Sequence, residues 1–486
     1  MVEKTTAEII VVGGGSAGCA VAGKLAAAGK EVLLIEAGPD YGSRDSTSWP
    51  EELVDARMLA TTHDWQYTGG RWEFQRARVI GGCSSHNGAI AAVGHRKDYD
   101  NWNLPGWSGN EVEPFFDEVV KRMRVRAYER HEAGPFHERC LQAAEALGWK
   151  MANDLCDLDA NDAFGLETVN IVDTTRWNTA FAYLDSQRDK SNFNIADQVL
   201  VDRIESQADC VSLYGTRNGE AVSFECQRLI LAAGVYGTPQ ILQRSGIGDP
   251  ALLQRLDIDV VHASPQVGAN LHDHPMCHAD RKVGQDLQKW LDDAAAQGFL
   301  PEEQTLGKAI SSLSEDGLYD LHVFPVCASD QTSMLHGRVH VEVACMTPQS
   351  RGYVNITNKD PEAHPEIDHR YLSDPEDHDI SVMADGLKMA EALLDQPLLA
   401  EILEERISDT SSWDAIRAQV EHYYHPVGSC RMGFDDLAVC DPQGKVNGID
   451  NVIVADASLM PQIPRGNTNL PAIMLGERIA KFILDD

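Results

Sequence analysis

The chain has 486 residues, 43% hydrophobic and 24% charged, an ordinary composition for a folded protein and enough length for two domains. Its 75 acidic side chains against 41 basic ones give a formal charge of -34, which argues against nonspecific attachment to nucleic acid or to an anionic membrane. The 11 cysteines form no close CxxC pair, no apolar run approaches the roughly 18 residues of a membrane span, and the run Ile9–Val12 is too short for a secretory signal. The expectation is a cytoplasmic protein with neither nucleic-acid nor membrane partners and compatible with a homo-oligomer.

Residues 8–38 read EIIVVGGGSAGCAVAGKLAAAGKEVLLIEAG. The apolar strand Ile9–Val12 runs into glycines, the Ala-rich helical pattern Ala17–Ala28 follows, and the strand Val32–Ile35 ends at Glu36. This βαβ context is what a lone GxGxxG lacks. Gly13 permits the tight turn, Gly15 lets backbone approach a pyrophosphate, and Gly18 lets helix and strand pack closely. The helix N-terminus supplies unpaired N–H groups and a positive dipole end. Glu36 can accept ribose hydroxyls while repelling a 2′-phosphate, which favours FAD or NAD over NADP. An ordinary Gly-rich turn is the alternative.

Residues 39–75 have little periodicity and read as a segment covering an extended cofactor. Next comes RARVIGGCSSHNGAIAAVGH at 76–95, whose glycines permit close backbone approach and whose Ala89–Val93 begins an apolar helical run. Residues 111–124 read as a scaffold helix. Leu229–Ala233 reads as a buried strand turning at Gly234, with Thr238-Pro239 starting a helix that Gly246 and Gly248 stop. Between about 285 and 420 the pattern changes. Residues 292–297 and 302–313 look like surface helices or lid material, whereas 321–327, 339–346 and 352–357 are strand-like. Residues 451–455 form a short apolar strand reaching Asp456.

Two late segments carry chemistry: HYYHPVGSCRMG at 422–433 and DASLMPQIPRGNTNLP at 456–471. The first sets His425 beside Pro426. In the second, Asn467 and Asn469 lie between Pro464 and Pro471, which restrict the backbone around the amides. A helix is expected from Pro471, with Ala472, Leu475, Ile479 and Phe482 as its apolar face. By itself His425 is as well explained by a structural histidine, and Asn467 by a turn or cap residue.

Five ordered segments resemble the glucose–methanol–choline (GMC) family of flavoprotein oxidoreductases over nearly the full length: GGGSAG at 13–18 with Glu36, ARVIGGCSSHNG at 77–88, AAGVYGTPQILQRSGIG at 232–248, HPVGSCRMG at 425–433, and VADASLMPQIPRGNTNLPAIMLGERIA at 454–480. Within the family GGCSSHN is nearest choline oxidases, although Gly88 stands where those have serine. PRGNTNLP is nearer oxidases of aryl or furanic primary alcohols.

The resemblance implies an α/β fold: a Rossmann-like FAD-binding domain (1–145, 190–290 and 420–486) with a discontinuous, sheet-containing substrate-binding domain (146–189 and 291–419). It implies that His425 takes the substrate hydroxyl proton, that Asn467 hydrogen-bonds the same oxygen, and that a hydride passes to flavin N5. It places FAD against Gly13, Gly15, Ser16, Ala17, Gly18, Glu36 and Ala37, then Arg78, Gly82, Ser85, His86, Asn87 and Gly88. Val201, Ala233, Gly234, Asp456, Ala457, Asn467 and Thr468 complete the cofactor contacts, with covalent attachment through His86 left open. The Asn270–His274 run NLHDH has metal-compatible donors, but the resemblance assigns it to the fold and the flavin environment, and no metal is expected. The implied reaction is oxidation of a small-molecule alcohol to a carbonyl, a primary alcohol to an aldehyde with O2 as acceptor and H2O2 as product. A dehydrogenase with another acceptor, an oxidase of a sugar or glycoside secondary hydroxyl, and a flavin-binding protein without turnover are the alternatives.

Overall fold

The computed structural model describes residues 4–297, 302–328 and 336–486. Strand Lys4–Val12 lies at the centre of a seven-stranded sheet, flanked by Val32–Ile35 and Glu220–Leu231, both parallel to it. Phe193–Ala196 extends one side in parallel, and Val452–Val454 pairs in parallel with the end of Glu220–Leu231. The first half of Glu220–Leu231 instead pairs antiparallel with Val211–Arg217, which pairs with Val199–Ser206. Near-continuous burial of Ile9–Val12, Val32–Ile35 and Leu229–Leu231 is what a parallel sheet covered on both faces demands.

Helix Ser16–Ala27 packs on this sheet, and the last helix, Asn469–Asp485, packs on it in turn. Small residues set both distances. A β-carbon on Gly18 would sit 1.8 Å from the Gly13 carbonyl oxygen, and one on Gly476 would sit 2.5 Å from that of Ala17. Ala472, Leu475 and Ile479 are buried as the apolar face predicts, and Phe482 is half-buried against the same core.

The second large sheet runs Leu403–Arg406, Pro275–Val283, Arg338–Cys345, Leu321–Cys327, Thr305–Ala309 and Ala163–Leu166, all antiparallel, with Glu421–His422 also pairing on Pro275–Val283. Pro275–Val283 therefore belongs to this sheet although it lies within 190–290. Helix His378–Leu394 covers one face, over Cys277, Ala279, Val339, Val341 and Val343. The other face carries Met276, Phe324 and Ala344, which pack with Tyr423 and Ile90.

Three local expectations are corrected. Residues 302–313 are not surface helix or lid: Thr305–Ala309 is a wholly buried strand, and Lys308 hydrogen-bonds the Leu155 carbonyl at 2.9 Å. Ala89–Val93 forms no helix, because Ala89 takes a left-handed conformation (φ 59°) and Ile90 and Ala91 bond to the 168–169 backbone. The helix expected at Thr238-Pro239 begins at Gly234, so Pro239 lies inside it. Proline cannot donate to the carbonyl four residues back, and the Ser429 hydroxyl bonds that Val235 carbonyl instead. The helix expected from Glu111 spans Gly109–Arg122, and residues 292–296 are the end of a helix that covers Gln285–Ala296, with Gln297 at its C-cap. No described helix is long and apolar enough to cross a membrane.

Candidate functional site

The strand register decides what meets at one edge of the first sheet. Val12 stands beside both Ile35 and Leu231, and Leu231 beside Val454, so the parallel strands end level. The Gly13 turn, Glu36, Ala233-Gly234 and Asp456 emerge together, at the carboxyl edge where open α/β sheets bind ligands.

Gly13 is left-handed (φ 102°), and a β-carbon there would meet the Ala232 carbonyl oxygen at 2.3 Å. Gly15 opens the first helix and faces Gly82, where a β-carbon would lie 2.6 Å from the Gly15 α-carbon. The two segments picked out in the first hundred residues thus touch through glycine backbone. The Ser16 hydroxyl donates to Asn469 Oδ1 at 2.7 Å, and Ala17 is buried beneath the last helix. Glu36 is buried, and its two oxygens accept the N–H groups of Gly14 and Gly38, each at 2.7 Å. Burial outweighs those donors and raises its carboxyl to about 7. Glu36 therefore clamps the glycine turn as well as facing the strand edge.

A cleft of about 320 Å³ opens beside this edge, lined among others by Ala37, Arg78, Gln198, Leu200 and Thr216. Arg78 donates to the Ala37 carbonyl at 3.3 Å and stacks its guanidinium 4.6 Å from the Trp65 ring. Val201 is buried at a bulge in its strand, next to the cleft rather than among its lining residues. Ala233 donates its N–H to Thr238 Oγ1, and Gly234 (φ 83°) donates to Asp456 Oδ2 at 2.9 Å. Asp456 also accepts from the Thr238 hydroxyl and the Ser458 N–H, so its carboxylate ties its own turn to the start of helix Gly234–Arg244.

In the 3-10 turn Gly82–Ser85, Ser85 donates to the Ile80 carbonyl at 2.8 Å. His86 follows. Its Nε2 is buried with no hydrogen-bond partner, and burial, reinforced by Arg76 and Arg176, lowers the ring to about 4. Asn87 accepts the Ala89 N–H, and Gly88 is exposed with Glu303 Oε2 3.0 Å from where its β-carbon would be.

The late segments converge on Asn270–His274. His272 and Val427 exchange both backbone hydrogen bonds, Gly428 donates to the Ala457 carbonyl, and the Ile463 N–H donates to His272 Nε2 at 3.0 Å. Asp273 Oδ1 accepts the N–H groups of His274 and His425, at 2.8 and 2.9 Å, while Oδ2 accepts the Tyr371 hydroxyl at 2.9 Å. The His274 and His425 rings then meet Nδ1 to Nδ1 at 3.1 Å. Both are buried. Desolvation holds His425 well below the ordinary imidazole range, aided by His274, His322 and Arg76, and lowers His274 to about 3.

Asn467 is half-buried on the other late segment, and its side chain makes no hydrogen bond to a described residue. The Arg465 N–H nearby donates to Asp98 Oδ2 at 2.8 Å, and buried Thr468 occupies the N-cap position of the last helix. The Pro464 carbonyl stands beside the His274 ring, so the segments bearing Asn467 and His425 are both held against one histidine. The reading of NLHDH as fold and flavin environment did not anticipate that contact, because nothing in its spacing distinguishes a ring packed on His425 from one packed elsewhere. The run does not gather as a metal site: His272 is bonded through both ring nitrogens and Asp273 accepts three donors.

Comparison with known proteins agrees with this architecture. The two family models described as GMC oxidoreductase match residues 7–276 and 348–476. The oxygen-dependent choline dehydrogenase of Paraburkholderia phytofirmans is 30% identical, covering 98% of this chain and 94% of that protein. The protein of the same name from Ectopseudomonas mendocina is 31% identical, again covering 98% and 94%. Among solved structures, pyridoxine 4-oxidase from Mesorbium loti superposes with a TM-score of 0.88 at 22% identity over 99% of both chains. A fungal aryl-alcohol oxidase superposes at 0.78 and 18% identity, also over 99% of both. With the nucleotide-type edge, the histidine pair and matched models over most of its length, the chain belongs to the GMC oxidoreductase family.

Proposed function

We propose that this protein oxidises a primary alcohol to its aldehyde, with FAD as resident cofactor and O2 as terminal acceptor. The observation that carries the reading is the buried His274–His425 pair, whose backbone Asp273 holds and whose segment joins the carboxyl edge of the nucleotide-type sheet through the Gly428 N–H on the Ala457 carbonyl. The glycine-to-glycine approach of Gly15 and Gly82, the cleft at Ala37 and Arg78, and the unpartnered Nε2 of His86 are what a bound dinucleotide with a flavin ring calls for. FAD, when bound, supplies the hydride-accepting ring; the protein supplies orientation and proton handling.

Two facing Nδ1 atoms require one N–H donor and one lone pair. If His425 donates, its Nε2 keeps the lone pair and is the nitrogen left for the substrate hydroxyl. Burial keeps the ring neutral at neutral pH, so it meets the alcohol as a proton acceptor. The Asn467 amide then donates to the same oxygen and stabilises its developing charge without adding a second titration.

The substrate end is acidic. Glu303 is held well above its ordinary value, first by burial and then by Glu342, Glu302 and Glu167, and burial raises Glu342 to about 8. Both act on Tyr423 and Tyr424 beside His425. A cationic group on the alcohol would relieve carboxyls so placed, and the curated relatives are named for choline and for oxygen. An uncharged aryl alcohol is the second reading, favoured by PRGNTNLP.

Acid precipitation of the purified protein comes first: yellow colour left wholly in the supernatant rules out a bond to His86. Anaerobic mixing with choline, aryl and sugar alcohols should then bleach the flavin with a primary alcohol, and air should restore the colour with release of peroxide. No bleaching with any alcohol defeats the enzyme reading; bleaching without peroxide makes it a dehydrogenase.

A further inference from the structure

On the face of the second sheet away from helix His378–Leu394, Asp280 lies directly across from His340, and His278 is two residues back on the same face. The alternate residues Cys277, Ala279, Val339 and Val341 fill the apolar core beneath the helix. Asp280 Oδ1 is 3.6 Å from His278 Nε2 and 3.6 Å from His340 Nδ1, and the two rings are 4.5 Å apart.

Those separations are too long for hydrogen bonds. The Asp280 side chain is only 4% exposed, yet its Oδ1 accepts no hydrogen bond, and His340 Nε2 has none either. A carboxylate oxygen this buried and aimed at two imidazoles is an expensive arrangement unless something joins them. The spacing fits a metal ion: ligands 2.0–2.2 Å from zinc at the tetrahedral angle stand about 3.4 Å apart. Arg338 Nη1, 3.9 Å from Asp280 Oδ2, engages the far oxygen and leaves Oδ1 turned toward the rings.

We propose that His278, Asp280 and His340 bind a divalent transition ion of the zinc class. Two imidazoles and one carboxylate suit borderline ions better than calcium or magnesium, which prefer oxygen donors. Three protein ligands leave a fourth position for water. The ion would clip strand Pro275–Val283 to strand Arg338–Cys345 and so stabilise the second sheet. The second His/Cys/Asp grouping among the described residues, Cys345, His378 and Asp379, differs in that both Asp379 oxygens already accept backbone N–H groups. The inference is independent of the reading of His425.

The test uses untagged full-length protein stripped with chelator and dialysed against zinc, then cobalt. The wild type should retain one ion per chain, unfold at a higher temperature with zinc than without, and show the intense visible bands of tetrahedral cobalt. Asp280→Asn and His340→Gln should each weaken zinc binding by at least the ~10–100-fold that loss of a supporting partner costs. Both should keep the metal-free circular dichroism of the wild type; where one misfolds, His278→Gln is read instead. A wild type that retains no ion, variants that retain it fully, or retention lost only in Cys345→Ala would each overturn the proposal.

Discussion

At His425 burial disfavours a positive ring, and so do the His274 imidazole at 3.1 Å, His322 beyond it, and the Arg76 guanidinium. Asp273, a nearby carboxylate, spends its oxygens on the backbone N–H groups of the two histidines and on the Tyr371 hydroxyl, and burial raises it to about 6. In the proposed reaction a ring kept neutral in this way is ready to accept the substrate's proton. Replacing His425 with Ala is expected to slow anaerobic flavin reduction by about 10²–10⁴-fold, the usual scale for a positioned acid–base group. Stopped-flow absorbance measures it, and an unchanged rate would remove His425 from the proton transfer.

At the scale of elements, the cofactor edge depends on how closely helix Ser16–Ala27 approaches its strand. Gly18 sets that distance, because a β-carbon there would lie 1.8 Å from the Gly13 carbonyl oxygen, a backbone atom that cannot swing away. Gly18→Ala should push the helix outward, cost about 1–3 kcal/mol as overpacking does, and lower the flavin-to-protein ratio after purification. Full flavin content with an unchanged unfolding midpoint would contradict this packing. The 456–459 turn works at the same scale: Asp456 joins it to Gly234 and Thr238, and its backbone carbonyls take the N–H groups of Gly428, Cys430 and Met432. The entry of helix Gly234–Arg244, residues 428–432 and the end of the final strand are therefore hydrogen-bonded into one unit.

Over the whole molecule the buried ionisable groups set how stability varies with pH. Glu36, Glu167 and Glu342 are raised to about 7, 8 and 8 by burial. The unfolded chain releases these protons near its ordinary carboxyl value, so the folded state binds more protons from there up to pH 8. Stability from these groups is present at low pH and lost as pH rises through 7 and 8. Buried imidazoles act oppositely: His86, His137 and His422, each lowered to about 4, have made their full contribution above the ordinary imidazole value. Between about pH 6.5 and 8 the carboxyls act alone, and the urea midpoint should fall across that interval. A midpoint that rises there would show that these carboxyls are not buried as described.

The amino-acid sequence determined the features that depend on near neighbours. The βαβ opening was legible because strand, glycine turn, helix and Glu36 lie within 31 consecutive residues, and the final helix because its apolar residues recur at helical spacing. The family resemblance singled out His425 and Asn467, which local pattern alone left open. Only the tertiary structure decided what no window contains. It placed His274 on His425, 151 residues away, and set Gly82 against Gly15. It turned residues 305–309 into a buried strand through partners at 163–166 and 321–323. It also set Asp280 across from His340, since sheet register is a long-range choice made by the burial of whole faces.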